Sequence, residues 1–62
     1  MNDRKMLSIL EAARFLGIGR STLYALIKEG RLPVRKLGRR TLIHRDDLGL
    51  FVDGLPRNTA QP

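Results

Sequence analysis

A short interruption at Gly17-Ile18-Gly19 divides the first half of the chain into two helix-forming segments. On each side of it, apolar residues recur three or four positions apart, which places them on one face of a helix. The set before the interruption is Ile9, Ala12, Ala13 and Leu16, and the set after it is Leu23, Leu26 and Ile27. Because the link is so short, the sequence predicts two short helices whose apolar faces pack on each other across a tight turn.

The first helix carries its own start and stop signals. Ser8, followed three residues later by Glu11, matches a capping box, in which each side chain accepts a hydrogen bond from the backbone N–H of the other. Gly17 stands where helices commonly end in a left-handed residue. We therefore predict a helix from about residue 9 to residue 16.

The second helix is predicted over residues 20–29. Gly19 occupies its N-cap position, where glycine is only a few tenths of a kcal/mol worse than Ser or Thr, and Gly30 ends it. Ile18 is predicted to plug the junction between the two helices. Once the apolar face is turned inward, the outer arc consists of Arg20, Ser21, Tyr24, Ala25 and Lys28.

A β-hairpin is predicted after the turn at Leu32-Pro33. Two β-prone runs, residues 34–37 and 41–44, flank Gly38-Arg39-Arg40. A three-residue connection that contains glycine is a hairpin signal. Its tip would be rich in arginine, with Leu37 and Ile43 pointing inward.

A third helix is predicted from residue 45 to about residue 52 or 53. Two aspartates, Asp46 and Asp47, stand in its first turn, where they suit the helix dipole. Leu48, Phe51 and Val52 are expected to pack it on the core. Around this domain, residues 7–53, we expect a flexible basic leader over 1–6 and a disordered polar tail over 54–62.

Size and charge restrict the function classes. A chain of 62 residues buries only about 60% of its unfolded surface, so its core is marginal. Lys and Arg outnumber Asp and Glu by 12 to 6. Six of the basic residues, and no acidic one, lie in the interval from Arg31 to Arg45: Arg31, Arg35, Lys36, Arg39, Arg40 and Arg45. Such clustering is typical of nucleic-acid binding, although a solubilising surface or an anionic membrane surface also fits charge alone.

Catalysis and cofactor binding find little support. The chain has no cysteine and a single histidine, His44, so no metal site is expected. Ser8, Ser21 and His44 do not make a catalytic triad, because no acid is placed to orient the histidine. Gly17-Ile18-Gly19 lacks the third glycine and the preceding strand of a dinucleotide-binding motif. There is no signal peptide and no apolar run of the ~18 residues that span a bilayer, so a soluble cytoplasmic protein is expected. Because no catalytic or cofactor motif is found, the protein is not expected to be an enzyme.

The two-helix segment has the spacing of a helix-turn-helix unit, with Ala13 four residues before Gly17 and Leu23 six residues after it. In such a unit the second helix enters the DNA major groove. An ordinary helical hairpin is the alternative. The basic and hydroxyl side chains of the outer arc favour DNA binding.

The residues also carry a family resemblance. Residues 7–18, then Arg20-Ser21-Thr22-Leu23-Tyr24, resemble the small excisionase-type, MerR-like helix-turn-helix proteins. The likeness continues through 29–33 and 38–40 and ends at 45–51, so it covers most of the predicted domain. It implies a mainly α fold with a small β-hairpin, namely a winged helix-turn-helix of three helices and a two-stranded wing.

The resemblance also implies roles for individual residues. The second helix would read the major groove through Arg20, Ser21, Tyr24, Ala25 and Lys28. The wing tip, with Arg39 and Arg40, would contact the DNA backbone or the adjacent minor groove. Their positive charge separately makes Arg31, Arg35, Lys36 and Arg45 candidates for phosphate contacts, and Thr22 is also assigned to the DNA backbone or wing. For Arg39 and Arg40 a merely solvated hairpin tip is the alternative, and for Tyr24 a half-buried position at the helix edge.

Some positions depart from the family pattern. Gly19 replaces a usual Ser, and Ala25 stands where a long polar side chain is common, so the reading face is sparse. Arg35 and Leu42 exchange the usual apolar and basic character of the ribbon, which leaves the strand register open. Leu10 replaces a polar residue, and with Phe15 and Leu42 it suggests a protein-interaction surface.

The expected partners are double-stranded DNA, an integrase or other recombinase, and neighbouring copies bound head to tail. The chain shows neither the dimerisation helix nor the sensor region of MerR-type regulators. This favours an excisionase, a recombination directionality factor that bends DNA, over the alternative of a small transcription regulator. A protein-interaction adaptor is a third hypothesis.

Overall fold

The computed structural model describes residues 5–56, which form three helices and one antiparallel sheet. In chain order the elements are β1 (Met6–Ser8), α1 (Ile9–Leu16), α2 (Arg20–Lys28), β2 (Arg35–Leu37), β3 (Arg40–His44) and α3 (Arg45–Asp53). The helices α1 and α2 form the helix-turn-helix unit, and β2 and β3 form the wing. The predicted winged helix-turn-helix fold is confirmed.

Helix α1 is closed at both ends by its own residues. The Ser8 Oγ accepts a hydrogen bond from the Glu11 N–H at 3.1 Å, and the Glu11 Oε1 accepts one from the Ser8 N–H at 2.9 Å. At the other end Gly17 adopts φ 72°, and the Ile18 N–H donates to the Ala13 carbonyl at 3.0 Å. The predicted capping box and C-terminal glycine are therefore both confirmed.

Helix α2 ends one residue earlier than predicted. Its last helical residue is Lys28, and Glu29 serves as the C-cap. Gly30 follows with φ 76°, and the Arg31 N–H donates to the Leu26 carbonyl at 3.0 Å. The left-handed residue at Gly30 turns the chain away, as the sequence indicated.

The sheet has a third strand that the sequence did not predict. β1 pairs antiparallel with β3, which places Leu7 opposite Ile43 and Met6 opposite His44. Met6 therefore belongs to the sheet and not to the leader in which we placed it. Of the other leader residues, Lys5 is described and 1–4 lie outside the described range; of the predicted tail, residues 54–56 are described and 57–62 lie outside it. A three-residue strand is too short to show a period of its own, and it forms only where a distant strand is available.

The pairing within the wing settles its register. β2 pairs antiparallel with β3, and Arg35 lies opposite Leu42. Arg35 and Leu42, which both depart from the family pattern, are thus cross-strand partners. Relative to that pattern, the basic and the apolar residue of this pair have exchanged strands. The turn is also shorter than predicted, since Arg40 is already in β3 and pairs with Leu37. Gly38 has φ 61°, the positive value that the first central residue of a type II′ two-residue turn requires.

The core lies between the inner faces of the helices and one face of the sheet. Its buried members are Leu7, Ala12, Ala13, Leu23, Leu32, Ile43 and Leu48. Leu32 is only 1% exposed, although the sequence indicated nothing more than a turn there. Ile18 packs against this cluster, as predicted for a plug in the turn.

Two residues that we expected in the core lie outside it. Leu37 is 68% exposed, because its pairing with Arg40 places it on the face of the ribbon opposite to the one that carries the buried Ile43. Val52 is 43% exposed. It lies about 100° around α3 from Phe51, at the edge of the packed face. Leu48 and Phe51 alone hold α3 on the core.

Candidate nucleic-acid interface

The outer face of α2 carries every residue that we assigned to the major groove. Arg20, Ser21, Tyr24, Ala25 and Lys28 are all exposed. At about 100° per residue, Ser21, Ala25 and Lys28 follow one line along the helix. The opposite side of α2 is held by Leu23, which is completely buried. The helix is therefore anchored through one face and presents a mixed basic and hydroxyl surface on the other.

The first turn of α2 leaves its backbone donors without a side-chain partner. Gly19 is the N-cap, with φ −78° and ψ 163°, and makes no side-chain capping bond. The first turn contains no acidic residue. The start of a helix attracts anions, because its N–H groups point outward at the positive end of the dipole. The beginning of α2 thus favours a phosphate group and lacks an internal acid that would compete for it.

The wing presents its basic residues on an exposed ribbon. Every residue of β2 is exposed, including Lys36, and so are Arg39 in the turn and Arg40 at the start of β3. Arg39 and Arg40 follow Gly38 directly, so the tip of the ribbon is its most cationic part. A narrow ribbon with arginine at its tip can reach a phosphate backbone or enter a minor groove.

Arg35 differs from the other wing residues because it faces an acid. Its Nη2 lies 3.9 Å from the Oδ2 of Asp47, in the first turn of α3. From the sequence, Asp47 was expected only to interact favourably with the dipole of the third helix. No spacing rule indicated this contact, because β2 and α3 meet only in the folded chain.

Two further residues assigned to the DNA backbone lie beside an apolar groove. Thr22 and Arg31 help to line it, and its other lining residues are Phe15, Leu16, Ile18, Leu26, Phe51, Val52 and Leu55. The guanidinium carbon of Arg31 lies 5.4 Å from the centre of the Phe51 ring, within the range of a cation–π contact. Thr22 lies about 100° around α2 from Ser21, so it flanks the outer face and does not belong to it.

Arg45 is also separate from the wing. It begins α3, and its N–H donates to the Lys5 carbonyl at 2.7 Å. Its side chain lines a depression beside Phe15, together with Leu7, Glu11 and Arg14. Of the seven residues predicted for the wing or backbone, Lys36, Arg39 and Arg40 are exposed on the ribbon, Arg35 lies beside Asp47, and Thr22, Arg31 and Arg45 lie elsewhere.

The start of α3 is capped by a residue for which the sequence predicted no capping role. The Nδ1 of His44 accepts a hydrogen bond from the Asp46 N–H at 3.0 Å, so His44 is the N-cap. Histidine is not among the preferred capping residues, so composition gave no signal. This bond occupies the Nδ1 of the imidazole, as the capping box occupies the Ser8 hydroxyl.

The three apolar residues proposed for protein interaction do not form one surface. Leu10 and Phe15 are 44% and 49% exposed, but five residues separate them, or about 140° around α1. Leu42 is only partly exposed and lies in the middle strand of the sheet. Phe15 instead borders the groove that Thr22 and Arg31 line.

Comparison with known proteins agrees with this geometry. A family model described as a helix-turn-helix domain matches residues 6–60. Neither the proteins with curated descriptions nor the solved structures include a significant match. Within residues 5–56, no helix is long and apolar enough to cross a membrane. The family match supports sequence-specific binding to double-stranded DNA, in a class of domains that is generally not enzymatic.

Proposed function

The chain belongs to the helix-turn-helix domain family, and on that premise we propose that it is an excisionase. In this role it binds repeated DNA sites, bends the duplex and directs an integrase toward excision. Its place of action is the nucleoid of a bacterial cell. The observation that carries the proposal is the contrast between a sparse reading face on α2 and a strongly cationic wing.

Docking follows from the exposed surfaces. Helix α2 lies in the major groove, where Arg20 and Lys28 donate to base edges and Ser21 adds a hydroxyl contact. Tyr24 reaches a phosphate or a sugar at the border of the groove, and Ala25 touches a thymine methyl. The tip of the wing, Arg39 and Arg40, lies on the backbone or in the adjacent minor groove, and Lys36 adds a phosphate contact.

The balance between these contacts favours an architectural role. Arg20 and Lys28 are the only long base-reading side chains on the outer arc of α2. Between them, Ala25 presents only a methyl group. Phosphate contacts position a protein without reading sequence. One copy therefore selects its site weakly, and adequate specificity requires several copies side by side. A protein of this kind is suited to repeated sites, at which neighbouring copies contact each other and bend the DNA together.

The first test is a salt titration on duplex DNA. If about five to seven phosphates are neutralised, log K should fall against log salt with a slope of roughly −4.5 to −6. The matched control is the double variant Arg39→Gln/Arg40→Gln, whose slope should be shallower by about 1.8. A slope near zero for the unaltered protein would remove DNA binding from the proposal.

The second test separates the excisionase from a transcription regulator of the same fold. Binding to tandem sites should be cooperative, and bound fragments should show bending in gel-mobility or scattering measurements. In the presence of the cognate integrase, the protein should raise excision. Independent binding to unbent DNA, together with control of its own promoter in a reporter assay, would instead identify a regulator.

The apolar groove beside Arg31 supports one other hypothesis, namely that the protein is a protein-interaction adaptor. Arg20→Ala and Arg39→Ala decide between them, because these residues lie away from the groove. Loss of DNA binding in both variants supports the excisionase. A partner protein that still binds both variants, with no DNA affinity in the unaltered chain, supports the adaptor.

A further inference from the structure

Asp47 lies beside a basic residue of the wing, and one of its oxygens is buried. Its Oδ2 is inaccessible to solvent and has no hydrogen-bond partner among residues 5–56. The ion-pair contact that the described residues provide for this oxygen is with the Nη2 of Arg35, at 3.9 Å. The Asp47 side chain is 20% exposed, whereas that of Arg35 is 61% exposed.

The geometry of this pair makes it easy to exchange. A distance of 3.9 Å is too long for a hydrogen bond, so charge attraction alone joins the two groups. A guanidinium has five N–H donors, which leaves Arg35 able to bind a second anion. Arg35 also stands on β2, the exposed strand of the wing, and the strand register places it on the same face of the ribbon as Leu37 and Arg40.

A carboxylate and a phosphodiester are recognised by arginine in the same way, through charge-assisted hydrogen bonds. An acid beside a DNA-contacting arginine therefore competes with the DNA backbone for that arginine. Moving Arg35 onto a phosphate withdraws the positive charge from an Asp47 oxygen that is buried and has no hydrogen bond. The position of Asp47 in the first turn of α3 supports its negative charge in both states.

From this arrangement we infer that Asp47 is an internal competitor of DNA phosphate for Arg35. It lowers the affinity of the wing for the DNA backbone at every sequence. The inference rests on the proposed docking of the wing on DNA. It also gives the low affinity of a single copy a cause, because each copy has to overcome its own acid before the wing is fully engaged.

The test uses Asp47→Asn, with Asp46→Asn as its matched control. Both substitutions remove one negative charge from the first turn of α3, but Asp46 is 86% exposed and its Oδ2 lies 3.8 Å from the Nδ1 of His44, which accepts a hydrogen bond from the Asp46 N–H. On duplex DNA without a specific site, Asp47→Asn should bind about two- to fivefold more tightly than Asp46→Asn. This is the range expected when one partly exposed ion pair no longer opposes binding. Its salt slope should be steeper by up to about 0.9, which is one additional phosphate contact.

Repeating the substitutions in Arg35→Gln protein shows whether Asp47 acts on DNA affinity through Arg35. In Arg35→Gln protein, Asp47→Asn should change affinity and salt slope no more than Asp46→Asn does. If the Asp47→Asn protein is unfolded at the assay temperature in a thermal melt, Asp47→Ser replaces it, since serine also suits a helix start. The salt slope separates competition from a merely structural role, because loss of structure does not add a phosphate contact.

The outcomes are distinct. Equal affinity and slope for the Asp47 and Asp46 variants would overturn the inference while leaving the proposed function in place, provided the unaltered protein keeps its slope of roughly −4.5 to −6. An effect of Asp47→Asn that persists in Arg35→Gln protein would also overturn it. A slope near zero for the unaltered protein would overturn the proposed function and this inference together.

Discussion

Helix α1 begins with a hydrogen-bonded cap on Ser8, whereas α2 begins at Gly19, which has no side chain to offer. The two helices are of similar length and pack on the same core. Helix α1 satisfies its first donors internally and buries two alanines, Ala12 and Ala13. Helix α2 buries only Leu23 and leaves its first turn and outer face open. The difference agrees with the proposed roles, in which α1 is a support and α2 keeps its polar groups available for DNA.

The largest effect that tests this comparison is an enlarged alanine. Ala12→Leu should lower the free energy of unfolding by about 1–3 kcal/mol, because Ala12 is completely buried and the added atoms have no space. The same change on α2, Ala25→Leu, should stay within about 0.5 kcal/mol, because Ala25 is exposed. Urea unfolding of both variants measures this. Equal losses would show that the outer face of α2 is packed.

The two glycines that flank Ile18 should respond in opposite directions. Gly17→Ser should lower stability by about 1–2 kcal/mol, because Gly17 has a left-handed backbone, with φ 72°. Gly19→Ser should raise stability by a few tenths of a kcal/mol, because it adds a cap, and a Cβ there meets no heavy atom within 4 Å. Thermal melts of the two variants give the signs. Destabilisation by Gly19→Ser would mean that this turn has no room for a side chain.

The smallest effect concerns the two serines. Ser8→Ala should lower stability by about 1 kcal/mol through loss of its cap, with no change in the DNA affinity of the folded protein. Ser21→Ala should leave stability within about 0.5 kcal/mol and weaken DNA binding. Fluorescence anisotropy with labelled duplex, measured well below both melting temperatures, separates the two. A matching affinity loss in Ser8→Ala would contradict the assignment of α1 as a support.

Prediction succeeded where the signal is local. The capping box at Ser8, the left-handed glycines and the apolar spacing of the helices all act within a few residues, and the structure confirms each of them. The exposure of Arg20, Ser21 and Lys28 follows in the same way from helical geometry. Their contacts with bases stay a prediction.

Prediction was wrong where position depends on distant parts of the chain. β1 exists because β3 offers it a partner, and Leu37 is exposed because the strand register turns it away from the face that carries Ile43. The same reason limited the site. A run of basic residues indicated one cationic surface, but neighbours in the fold divide it, since Arg35 faces Asp47 and Arg31 lies over Phe51.

The amino-acid sequence alone determined three helices, a basic hairpin and an excess of positive charge, because helix ends, turn glycines and charges are properties of neighbouring residues. Only the tertiary structure decided which arginines remain available to DNA. Whether a charged side chain is available depends on what packs beside it, and the acid beside Arg35 and the ring beneath Arg31 both come from α3, on the far side of the wing in sequence.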